Sequence, residues 1–220
     1  MTPGRATPGR ECPLCPRLVG YRNELRQTFP LWHNAPVPSF GPEDARLLIV
    51  GLAPGLRGAN RTGRPFTGDY AGDLLYATLA KFGWASGTFV GGRDDGVWTP
   101  DTLKLSGVRI TNAVRCLPPQ NKPLPAEIKT CRPFLVNELT ALPSLRAVLA
   151  LGRVAHETIL GALGLKRSAY KFAHGALYDL PSGLTLADSY HCSRYNTNTG
   201  TLTTEMFEKV FADLRSRLAA

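Results

Sequence analysis

Four short apolar runs, separated by stretches of helical spacing, restrict this chain more than any other feature. They are Arg46-Leu-Leu-Ile-Val-Gly51, Val108-Arg-Ile-Thr-Asn112, Leu145-Arg-Ala-Val-Leu-Ala-Leu151 and the weaker Leu184-Thr-Leu-Ala-Asp188. A strand covered on one face alternates apolar and polar residues, whereas one covered on both faces reads as a continuous apolar run. Helical patterns fall over 17–29, 71–82, 125–142, 154–165 and 203–218, and Pro133 is expected to kink or divide the third. Strands alternating with helices predict βαβ units and a parallel sheet of about four strands, covered on both faces. Ligands of such sheets bind beyond the carboxyl ends of the strands, so the segments that follow the four runs are expected to meet at one edge.

The 220 residues are enough for one domain with a sizeable core. Lys and Arg number 26 against 17 Asp and Glu, a net charge of +9 that points to a polyanionic partner such as nucleic acid. No apolar run approaches the roughly 20 residues of a membrane span, and the start of the chain lacks the apolar core of a secretory signal. Together these make a cytosolic protein the default.

The five cysteines do not suit a disulfide framework. Cys12 and Cys15 form C-x2-C, and Cys116 and Cys131 form a second pair. Four soft ligands are enough for tetrahedral zinc or an iron–sulfur cluster, and spacing does not choose between them. Cys192 is expected to be an unligated neighbour of His191.

Three segments carry chemistry. The stretch from Gly51 to Asp69 is rich in glycine, which lets backbone approach a ligand closely, and holds Arg57, Arg61 and Arg64. It lacks the Gly-Lys-Ser/Thr of a phosphate-binding loop and the dinucleotide fingerprint, so a nucleotide-phosphate enzyme is disfavoured. The second, Arg115 to Pro125, is stiffened by prolines around Asn121, whose amide is suited to reading a nucleobase edge. The third runs from His191 to Gly200. There His191 is a donor to developing negative charge, Ser193, Asn196 and Thr199 are phosphate contacts, and Arg194 and Tyr195 enter a groove or stack. His33, His156 and His174 have no comparable setting and are assigned to packing or surface.

In their order, with the four cysteines, these segments resemble the uracil-DNA glycosylase superfamily, and most closely its family 5, the iron–sulfur type B. The carriers are Gly51-Leu-Ala-Pro-Gly55, Asn60-Arg-Thr-Gly-Arg-Pro-Phe-Thr-Gly-Asp69, the Cys-flanked Pro-Pro-Gln-Asn121 loop and His191-x-Ser-x-x-Asn196-x-x-Thr-Gly200. The resemblance implies a three-layer α/β/α sandwich over 1–220 as a single domain, with a cluster-binding extension at about 1–30. It implies a [4Fe–4S] cluster on Cys12, Cys15, Cys116 and Cys131, read as a structural staple. It also implies a glycosylase that flips uracil, and by extension other deaminated bases, out of double-stranded DNA and leaves an abasic site. No lysine in these segments is placed as a Schiff-base nucleophile, so the enzyme is expected to be monofunctional, and a monomer.

In that reading Gly51, Leu52 and Ala53 line the base pocket, Phe66 stacks on the base, Asn121 reads its edge and a neutral His191 stabilises the leaving oxygen. Arg61, Ser193, Arg194, Tyr195 and Asn196 contact DNA. Two departures stand out. Leu52 occupies the position where other branches carry a polar or acidic water-activating residue, which moves that role to Asp69. Cys192 stands where proline is common. With Leu52 inert, a non-catalytic, cluster-bearing nucleic-acid-binding module is the alternative. The arginines 57, 61, 64, 115, 132 and 194 are expected to form the DNA-facing surface.

Overall fold

A computed structural model describes residues 7–91 and 98–219. Its strands are β1 (Leu47–Gly51), β2 (Ala85–Ser86), β3 (Lys104–Leu105), β4 (Val108–Asn112), β5 (Ala147–Leu151), β6 (Leu177–Asp179) and β7 (Thr185–Ser189). Its helices are α1 (Pro16–Thr28), α2 (Ala59–Thr62), α3 (Tyr70–Lys81), α4 (Pro125–Ala141), α5 (Arg153–Ala162), α6 (Arg194–Asn198) and α7 (Thr204–Ala219). The main sheet has the order β4-β1-β5-β7-β6. Its first four strands are parallel, as the apolar runs predict. The fifth, β6, is an antiparallel edge strand paired to β7, and β2 and β3 form a separate small ribbon.

The alternation of side chains along β1 explains the layers. Leu47 and Ile49 face α3 and α7, packing among Leu75, Leu79, Phe207 and Phe211. Leu48 and Val50 face α4 and α5, packing among Leu135, Leu139, Ile159 and Leu160. Each residue of β1 is buried, which is why the run carries no polar face. The result is the three-layer α/β/α sandwich. Helix α4 runs undivided through Pro133, so of the two expected outcomes division does not occur. Pro133 is exposed, so water can reach the carbonyl that its missing N–H leaves behind. Among the described residues no helix is long and apolar enough to cross a membrane.

The chain leaves β1, forms β4 on one side, and returns past β1 to form β5 on the other. This reversal opens a crevice at the carboxyl end of β1, where the glycine-rich segment lies. A third cluster, of Leu18, Val114 and Cys131, fixes α1 against the segment after β4.

Candidate active site

Three of the four strand-following segments line one open cleft of about 400 Å³, bordered by Leu52, Ala53, Asp69, Asn121, His191 and Arg194, among others. A smaller inner recess shares Ala53, Asp69 and His191 with it and adds Phe66 and Asn112. The fourth segment closes the back: a Cβ added at Gly152 would stand 3.7 Å from the Cβ of His191.

Phe66 is the strained member. Its φ is +53°, a left-handed conformation that costs a bulky residue about 1–3 kcal/mol and persists only where its surroundings hold it. Two glycines do so. A Cβ at Gly51 would lie 2.7 Å from Phe66 Cζ, and one at Gly72 would collide with the Phe66 carbonyl oxygen. Tyr76 donates to the neighbouring Pro65 carbonyl at 2.6 Å. The Phe66 ring then lies 5.8 Å from the His191 ring with their planes 27° apart.

Asn112 is the residue that sequence reasoning missed. It ends β4 in register with Gly51, and its Oδ1 would be 2.5 Å from a Cβ there. The absent side chain at Gly51 therefore lets a buried amide reach the recess beside Phe66. Asn121, given the base-reading role from its proline-rich loop, sits instead on the exposed rim of the outer cleft, with φ +56°. Two polar residues, Thr111 and Asn112, closing a fully buried strand were the available signal.

Asp69 precedes α3 in extended conformation, and its carboxylate packs against Gly55 and Gly58 at the mouth of the recess. Burial holds His191 down to about 4, so its imidazole is neutral at physiological pH and one ring nitrogen carries a proton it can donate. Asn196 Nδ2 donates to the His191 carbonyl at 2.8 Å, and Ser193 Oγ caps α6 by accepting from the Asn196 N–H at 3.4 Å. Ser193 and Asn196 thus shape the loop. The side chains it projects are Tyr195, which is 75% exposed, and Arg194, whose guanidinium lies 5.4 Å from the Tyr70 ring.

The arginine-lined surface needs correcting. Arg61 is only 4% exposed, and its Nε donates to the Arg57 carbonyl. Arg64 makes a bidentate ion pair with Asp101 (2.7 Å each) inside a cage of Phe40, Tyr76, Phe89 and Trp98. Arg115 is buried against Ser39 and Glu138. These three hold the interior together and do not face solvent, whereas Arg57 and Arg194 are exposed. His156, as expected, is a packing residue, bonded through Nδ1 to Asp188 (2.7 Å) and through Nε2 to the Tyr170 carbonyl (2.9 Å). Cys192 is fully buried beside the Ala71 carbonyl.

The four remaining cysteines, Cys12, Cys15, Cys116 and Cys131, line a single cavity with Leu18, Val114, Arg22 and Arg115. Among the described residues no three His, Cys, Asp or Glu side chains converge on a point that would hold a single ion. Burial pushes the Cys15 thiol up to about 11 and that of Cys116 up to about 12, each helped by the other thiols. Burial therefore favours the neutral form of these two thiols until a cationic core displaces their protons.

Residues 38–215 match the model of the uracil DNA glycosylase superfamily. The chain is 49% identical over 214 residues to a Type-5 uracil-DNA glycosylase of Thermus thermophilus, covering 94% of each. It is 41% identical to the Type-5 enzyme of Mycobacterium tuberculosis (93% of this chain, 77% of that one) and 40% identical to that of Pyrobaculum aerophilum (90% and 85%). With its sheet-edge recess and these matches across most of its length, the chain belongs to the uracil-DNA glycosylase superfamily.

Proposed function

We propose that this protein is a uracil-DNA glycosylase that hydrolyses the N-glycosidic bond of uracil in double-stranded DNA and leaves an abasic site. The observation that carries the reading is the inner recess, where a strained Phe66, the Asn112 amide, the Asp69 carboxylate and a neutral His191 converge. A base within a duplex cannot reach such a recess, so it is flipped out at a cost of a few kcal/mol. Phe66 stacks on its face. Asn112, which offers both a donor and an acceptor, pairs with its edge. As the bond to the sugar breaks, negative charge grows on the uracil oxygen, and the N–H of His191 donates to it. Neutral imidazole suits that task, because uracil leaves as an anion that needs a hydrogen bond rather than full protonation. Asp69 stabilises the sugar cation and orients the water that adds to it, the proton passing to the carboxylate or to solvent. Leu52 lines the outer cleft and takes no part in activating water.

Arg194 and Tyr195 project where a duplex would lie and are the candidates for filling the vacated stack. The thiol cavity fits a [4Fe–4S] cluster on Cys12, Cys15, Cys116 and Cys131, because four soft ligands distributed around a cavity wall suit a polynuclear group. When bound, it would staple the segment before α1 to the segment after β4 and to α4. A uracil-containing duplex treated with the protein and then with alkali should break at the uracil. Asp69→Asn should slow single-turnover release by about 10²–10⁴-fold, with duplex binding retained. An unchanged rate would remove Asp69 from the mechanism.

A further inference from the structure

Two guanidinium groups border the thiol cavity, and they are matched differently. Arg115 faces a buried anion, Glu138, which it shares with Arg109. Its Nη1 donates to Ser39 Oγ at 2.8 Å, and its Nη2 lies 3.4 Å from Glu138 Oε1. Arg22, reaching in from α1, is 5% exposed. Both of its terminal nitrogens donate to the Cys12 carbonyl at 3.2 Å, and its buried Nε has no hydrogen-bond partner. Among the described residues the carboxylate recorded near it is Glu11, 4.0 Å away, 67% exposed and gripped by Arg26 through both oxygens at 2.7 and 2.8 Å. Taking a guanidinium out of water is unfavourable unless an anion faces it. Arg22 thus has a positive charge beside four cysteines and, among the described residues, no buried carboxylate to match it.

We propose that Arg22 is the charge-balancing residue of the cluster, its guanidinium stabilising the net negative charge of the thiolate-ligated group and raising its reduction potential. The proposal rests on the cluster reading above. Four thiolates outweigh the charge of the iron–sulfur core they hold, and nearby charge together with hydrogen bonds to the ligands sets the potential of such centres. Arg22 supplies the charge, and its grip on the Cys12 carbonyl holds that charge beside a ligand residue. Arg115 adds a backbone N–H to Cys131 Sγ at 3.4 Å from the opposite wall.

The test compares the loaded wild-type protein with Arg22→Lys and Arg22→Gln. Iron and acid-labile sulfide are assayed first, then the midpoint potential and the rate at which ferricyanide bleaches the absorbance near 400 nm. The glutamine variant should have a more negative potential and bleach faster, and lysine should restore wild-type behaviour. A glutamine variant that loses the cluster while the lysine variant keeps it would support the same conclusion. An unchanged potential and bleaching rate in the glutamine variant would overturn the proposal. Loss of the cluster from both variants would also overturn it, placing the role in the fork of hydrogen bonds to Cys12. Wild-type protein without iron or sulfide would overturn the cluster reading itself, separately from any variant.

Discussion

In the inner recess, polar side chains stand against a wall of glycines, and one of its members, Phe66, is held in a conformation it would not choose. The thiol cavity has the reverse construction: Leu18, Val114 and Phe134 enclose it, and its arginines are fixed by hydrogen bonds. Missing side chains therefore define the first region and packed ones the second. Small additions should harm the recess through function, and small deletions should harm the cavity through stability.

Gly51→Ala is the sharpest way to break that contrast. Its methyl would press on both Asn112 and Phe66, so kcat/KM on a uracil duplex should fall about 100-fold while the melting temperature drops by only a few degrees. A fall in stability large enough to explain the lost activity would erase the distinction. Cys131→Ser should do the opposite. It should cost about 4 kcal/mol or more, as the loss of a bound metal group does, and abolish absorbance near 400 nm. Uracil release by the molecules that remain folded should slow less than tenfold. Equal losses in both measurements would mean that the cavity and the recess are not separable.

The smallest effect concerns pH. His191 is held down to about 4 by burial, against an ordinary 6.5, so between those values the unfolded chain binds more protons at this site than the folded one. Its contribution to stability is complete above about 6.5, is lost as pH falls towards about 4, and levels off below. Chemical denaturation of wild-type protein and His191→Asn across pH 7.5 to 4 should show the two stability curves converging at the acid end. Parallel curves would mean that His191 is not held neutral by the fold.

The parallel strands were legible because burial on both faces leaves an unbroken apolar run. β6 was not, since three half-buried or exposed residues pairing antiparallel at an edge carry no such signature. The arginines misled for a physical reason. A sequence shows charge but not the partner that allows it to be buried, and the cage around Arg64 gathers Phe40, Tyr76, Phe89, Trp98 and Asp101 from distant positions. Asn121 attracted attention because prolines announce rigidity, yet its rigid loop forms the rim. Asn112 passed as the end of a strand. Its position depends on register with Gly51, which pairing alone reveals.

The undivided helix α4 carries Cys131 on the cavity and Glu138 about two turns later, where that carboxylate binds Arg109 of β4 at 2.8 Å and Ser39 at 2.5 Å. A rigid rod therefore connects the thiol lobe to an outer strand of the parallel sheet. A chimera that borrows residues 1–30 from a distant relative would bring two of the cavity's four thiols without the rod that places Cys131. The exchangeable unit is 1–30 together with 115–138, and grafts cut anywhere between should assemble poorly.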